Sequence, residues 1–205
     1  MRGLALTEHY FEVRQKLFKW PREQTVTRKL ILAIGMAALT GLLAQVKFYL
    51  PWTPVPATGQ TFAVLMAGIL LGRWWGGVSQ AIYVTLGAAG IPWFSSWSGG
   101  IHHLTGPTGG YLVGFIFAAL FIGYFCDRYP KSRNFVPMLG LMVVANFVIV
   151  HGLGLCQLAI WLNLVKNNPI TMKELLWMGT IPFIAGDITK IILAAGVVKA
   201  VTPKK

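Results

Sequence analysis

The chain has 205 residues, 55% of them hydrophobic, with a mean hydropathy of +0.61 and a formal net charge of +12 from 18 Lys and Arg against 6 Asp and Glu. So apolar a composition in so short a chain excludes an ordinary soluble domain and points to one membrane-embedded bundle. The cations gather at the ends of apolar runs instead of forming one patch, which also argues against a nucleic-acid binder.

Residues 1–29 place Arg2, Arg14, Lys16, Lys19, Arg22, Arg28 and Lys29 among aromatic and aliphatic residues, with no cleavable apolar core, and read as a basic interfacial segment on the cytoplasmic side. The first span, 30–50, repeats Ala33, Ala37 and Gly41 every fourth position. That small-residue face lets another helix approach closely, either a partner subunit's or one of the chain's own. Pro51, Pro54 and Pro56 make 47–60 a loop. Residues 61–72 are short for a second span, Arg73, Trp74 and Trp75 mark an interface turn, and a third span follows over 76–90.

Residues 91–110 contain no Lys, Arg, Asp or Glu but combine glycines, Trp93, Trp97 and hydroxyls, as a loop folded over a small-molecule cavity would. Residues 106–110 lack the Gly-Lys-Ser/Thr ending of a phosphate-binding loop, so the chain carries no ATPase motif there. His102 and His103 have no acidic or Cys partner nearby and read as loop histidines, not metal ligands. The fourth span is 111–126, followed by a basic turn over 127–133. A fifth span over 136–164 holds the uncharged polar residues Asn146, His151 and Gln157, with His151 expected to hydrogen-bond inside the bundle. Cys126 and Cys156 lack CxxC spacing and read as small core residues. The last loop covers 166–173, the sixth span about 180–201, and a basic tail 202–205.

Within the sixth span Asp187 and Lys190 lie three residues apart, on one helix face. An acid and a base at that depth pair with each other or line a polar interior, and Gly186 leaves room beside the carboxylate for a ligand. With both termini cytoplasmic, fourteen of the 18 Lys and Arg fall on the inner side, Lys47, Lys166 and Lys173 on the outer side, and Lys190 in the membrane. The expected fold is therefore an all-α, multi-pass membrane protein of six transmembrane helices in one bundle over 30–201.

Three motifs then converge: Val55-Pro56-x-Thr58-x-Gln60-Thr61, the stretch from Gly99-Gly100 through Leu104-x-Gly106-Pro107-Thr108-Gly109-Gly110-Tyr111-Leu112, and Pro182-Phe183-x-x-Gly186-Asp187-x-x-Lys190. Together these resemble the BioY family, the biotin-binding S components of energy-coupling factor (ECF) transporters, over about residues 30–200. The resemblance implies a plasma-membrane subunit without enzymatic activity, cofactor or metal. Such a subunit captures biotin from outside and works with a transmembrane coupling subunit and two cytoplasmic ATPase subunits, although some members act alone. It further implies that Asp187 accepts from a ureido N–H, that Lys190 donates to a ligand oxygen, and that Ser98, Gly109, Gly110 and Tyr111 close the site. Ala33 and Ala37, with Gly41 continuing their stripe, would meet the coupling subunit. Ser98 stands where the family often has Asn, and Ala185 where Pro is common. A rival reading makes Asp187 the general base of an intramembrane enzyme, with His151 or Lys190 as partner, but the scarcity of polar groups speaks against it. A purely structural adaptor leaves the acid–base pair unexplained.

Overall fold

Helices follow the apolar runs, and the breaks fall where the chain denies the backbone a helical partner. The computed structural model describes residues 2–203. Helix α1 (Arg2–Glu23) occupies most of the basic N-terminal segment, and α2 (Val26–Leu43) begins and ends earlier than the 30–50 expected for the first span. The early end has a local cause. The Gly59 N–H donates to the carbonyls of both Leu43 and Val46, at 3.1 and 2.9 Å, drawing the returning loop onto the helix end. Strand β1 (Lys47–Phe48) then pairs antiparallel with β2 (Ala57–Thr58), with Lys47 opposite Thr58.

Helix α3 (Gln60–Ala88) is interrupted at Gly72, where φ is 78° and ψ −179°. That backbone conformation is open to glycine and strained for any other residue. A Cβ on Gly76 would lie 2.7 Å from the Gly68 Cα, so the limbs 60–71 and 73–88 fold back against each other. Asp127 fastens the turn: its Oδ2 accepts from the Arg73 N–H at 2.8 Å.

Next come the short α4 (His102–Thr105), α5 (Gly109–Arg128) and α6 (Phe135–Val165). Helix α6 contains two π-helical stretches, Val144–Val150 and Trp161–Val165. Helix α7 (Met172–Gly179) starts with a capping box between Thr171 and Glu174, and a 3-10 turn over Ile181–Phe183, with Pro182 inside it, leads into α8 (Ile184–Val201).

Among the described residues, five helical segments are long and apolar enough to cross a membrane where the sequence predicts six. The difference lies in α3, whose two limbs form one segment interrupted at Gly72. The core runs along α3, α5 and α6, with Tyr83, Ile69, Ile122, Met138 and Leu158 among its fully buried side chains. Outward, Ile31, Leu42, Val148, Leu164 and Leu193 stay exposed, an apolar girdle of the kind lipid covers. Cys126 is buried as expected, but Cys156 lies on the exposed face.

Helix α1 is tied to the bundle by two arginines. Arg14 is buried and donates to the carbonyls of Lys199 and Thr202 at the end of α8, where cations suit the exposed carbonyls. Arg22 donates to Asp127 Oδ1 at 2.9 Å and to the carbonyls of Ile69 and Leu70 at 2.7 and 3.1 Å, beside the α3 turn.

Candidate binding site

A cavity of about 720 Å³ opens between the loop carrying β1 and β2, the loop joining α3 to α5, and the facing surfaces of α5, α6 and α8. Its wall is mostly apolar, with Val55, Leu112, Phe115 and Phe183 contributing, and this volume and lining suit a small organic ligand. Polar groups gather where α8 begins. The break at Thr180 and Pro182 restarts the helix so that Asp187 falls in the first turn of α8, where the helix dipole favours a negative charge.

Asp187 is 3% exposed and meets three donors. Oδ2 accepts from His151 Nε2 at 2.8 Å and from Asn146 Nδ2 at 3.0 Å, while Oδ1 takes the Lys190 ammonium at 2.6 Å. Lys190 also donates to the Thr58 carbonyl at 2.8 Å. An ammonium has three N–H groups, so one remains for a ligand acceptor. The π-helical stretch explains how α6 supplies two of the donors. At ~100° per residue, positions five apart on an α-helix point roughly 140° from each other. Here the His151 N–H bonds back to the Asn146 carbonyl, the i to i+5 pattern that stacks the two residues on one face.

Of the residues expected at the site, the structure brings Asp187, Lys190 and Tyr111 to the cavity wall, with Gly186 beside them and open space where its side chain would be. The Tyr111 hydroxyl donates to the Gly179 carbonyl at 2.7 Å, so its ring is what it offers the cavity. Ser98, Gly109 and Gly110 are not among the lining residues. The Ser98 hydroxyl turns back to the Ser95 carbonyl at 2.6 Å. Gly109 and Gly110 let α5 approach its neighbours: a Cβ would fall 1.9 Å from the Leu104 carbonyl oxygen or 2.1 Å from that of Leu153.

The outward docking face expected of α2 is corrected by burial. Ala33 and Ala37 have no exposed surface, and a Cβ on Gly41 would meet the Trp93 Cβ at 2.8 Å, so this stripe packs within the chain's own bundle. The outward face of α2 instead carries Ile31, Ile34, Gly35, Ala38 and Leu42.

Other contributors went unassigned from sequence. Gln60 lines the cavity, accepts from Thr58 Oγ1 at 2.6 Å and donates to the buried Tyr83 hydroxyl at 2.7 Å. Both belong to the Val55–Thr61 motif, which was the available signal. His151 and Asn146 were visible only as polar residues in an apolar run. His102 and His103 also line the cavity.

Comparison with known proteins agrees with this geometry. The model of the BioY family matches residues 14–204, starting well before the residue 30 suggested by the motifs alone. A probable biotin transporter BioY of Methanothermobacter thermautotrophicus is 53% identical over 140 residues, 68% of this chain and 89% of that protein. The biotin transporter BioY of Thermotoga maritima is 35% identical, covering 82% of this chain and 92% of its own. Among solved structures, the S-component for biotin from an ECF-type ABC transporter superposes with a TM-score of 0.74 at 26% identity, covering 86% of this chain and 93% of that one.

Proposed function

Because this chain belongs to the BioY family, a family of transporter components and not of enzymes, we propose that it is the biotin-binding S subunit of an ECF transporter. The observation that carries the proposal is the Asp187–Lys190 pair on the wall of an otherwise apolar cavity. Biotin's ureido ring has two N–H donors and one carbonyl acceptor on a largely apolar bicycle. A carboxylate beside an ammonium with a spare N–H is the complementary set, and charge-assisted bonds of this kind are the strong ones. Asn146 and His151 hold the carboxylate in place, and the Lys190–Thr58 bond ties the β1–β2 loop to the same point.

In this reading both limbs of α3 cross the plasma membrane, giving six crossings with both termini cytoplasmic, as the distribution of Lys and Arg favours. Biotin enters from outside, beneath the loops bearing β1, β2 and α4. The chain has no phosphate-binding loop, so energy for release inward comes from ATPase partners acting through a coupling subunit. Titrating the purified protein with biotin by calorimetry tests the proposal. Saturable binding of one biotin per chain is expected, whereas absence of heat together with failure to retain labelled biotin would overturn it.

A further inference from the structure

Hydroxyls gather at the rim of the cavity, and Lys47 and Ser96 stand just behind the lining residues Tyr49 and Ser95; among the described residues no acid pairs with that lysine. Lys47 in β1 donates to Ser96 Oγ, and its ammonium lies 5.4 Å from the centroid of the Tyr49 ring. The Tyr49 hydroxyl is 2.5 Å from Ser96 Oγ and 3.3 Å from Ser95 Oγ. Tyr49 and Ser95 both line the cavity, and Tyr49 is 60% exposed at its mouth. Among the described residues Lys47 makes no ion pair: Asp127 is engaged by Arg22, and Asp187 by His151 and Lys190. Its partners are hydroxyls, which can turn to donate elsewhere.

The loop presenting these serines is held in an unfavourable shape. Ser96 and Trp97 have φ of 68° and 53°, left-handed values that non-glycine residues keep only when their surroundings fix them. Here Gln45 does the fixing: its side chain accepts from the Trp97 N–H at 2.9 Å and donates to the Phe94 carbonyl at 3.0 Å, while Phe94 and Ser98 pair across the turn. Hydrogen bonds from Ser95 and Ser96, together with the Lys47 charge, lower the Tyr49 pKa and so make its hydroxyl a better donor. For His103, also on the wall, burial and the neighbouring His102 hold the pKa below the ordinary value, which favours its neutral form.

We infer that Lys47, with the hydroxyls of Tyr49, Ser95 and Ser96, receives the ligand's carboxylate at the rim while the ring system lies against Asp187 and Lys190. This rests on the biotin reading, because biotin carries a single ionised group, at the end of a chain leading away from its rings. Against Asp187 that carboxylate would meet a like charge. At the rim it meets hydroxyls already gathered and, beside them, a cation with no ion-pair partner among the described residues.

The test compares biotin with its neutral methyl ester, titrated against the full-length protein in detergent. Wild type should bind biotin at least about fivefold tighter than the ester, with the difference shrinking at high salt because the site is exposed. Lys47→Met should erase that preference while binding the ester as wild type does, and Lys47→Arg should retain it. Tyr49→Phe should reduce it. An unchanged preference in Lys47→Met overturns the assignment, as does equal loss of biotin and ester binding, which would mark Lys47 as structural. Biotin binding with no preference in wild type overturns this inference alone, whereas binding of neither ligand removes the biotin reading with it.

Discussion

Three donors from two helices converge on the Asp187 carboxylate inside an apolar bundle. The cost of removing that charge is correspondingly shared. Asp187→Asn would set an amide NH2 against groups that are themselves donors and leave the Lys190 ammonium without its partner, and breaking a buried pair costs about 3–5 kcal/mol. Lys190→Met would leave Asp187 with two donors and Thr58 with a bare carbonyl. If the pair served structure alone, combining the two changes would relieve the charge imbalance and restore biotin affinity. The expected outcome is that the double variant binds at least about tenfold more weakly than wild type, and no better than either single variant, by calorimetry. Recovery of normal affinity in the double variant would remove both residues from the site.

At the scale of elements, periodicity served well wherever helices were regular and failed where they were not. Asp187 and Lys190 were legible because spacing of three on an α-helix fixes a shared face, and α8 is regular there. Asn146 and His151 were not paired from sequence because five residues apart is the wrong phase for an α-helix. Only the π-helical stretch Val144–Val150 brings them together, and no residue type announces that stretch. The Ala33, Ala37 and Gly41 stripe shows the converse limit. Small residues reveal that something packs closely, not what does, and here it is the chain's own bundle. Ala37→Leu should therefore act on folding, forcing extra volume into a filled contact at about 1–3 kcal/mol and lowering both thermal stability and biotin binding. Gly35→Leu, on the outward face with nothing within 4 Å of its Cβ position, should leave both unchanged. The opposite ranking of the two variants in a thermal melt would contradict this packing.

Across the whole molecule, the basic N-terminal segment is more than an interfacial charge reserve. Arg22 stacks on Phe18 at 3.7 Å and joins α1 to the α3 turn and the end of α5 through Asp127 and two carbonyls. Arg133 lies 4.5 Å from the centroid of the same Phe18 ring. Sequence showed the cations but not their partners, because carbonyls at helix ends carry no signature in residue type. Arg22→Ala should lower stability by about 1 kcal/mol, since charge-assisted bonds are lost and part-buried carbonyls lose a donor. Its reading is a fall in the melting temperature with biotin affinity preserved, because the lost contacts lie at the Asp127 end of the bundle. Loss of affinity at unchanged stability would show that α1 acts on the cavity instead.

The bond from Lys190 to the Thr58 carbonyl joins residues 132 positions apart. At ribosomal speeds of about 5–20 residues per second, Thr58 waits on the order of ten seconds for its partner to be made. Only in the last part of that interval do Asn146 and His151 stand in the nascent bundle, and they wait until Asp187, 36 residues after His151, brings the carboxylate they hold in the finished protein. Helix α8 thus brings the carboxylate to donors already in place, and a chain cut short before it is expected to form most of the bundle and yet fail to retain labelled biotin.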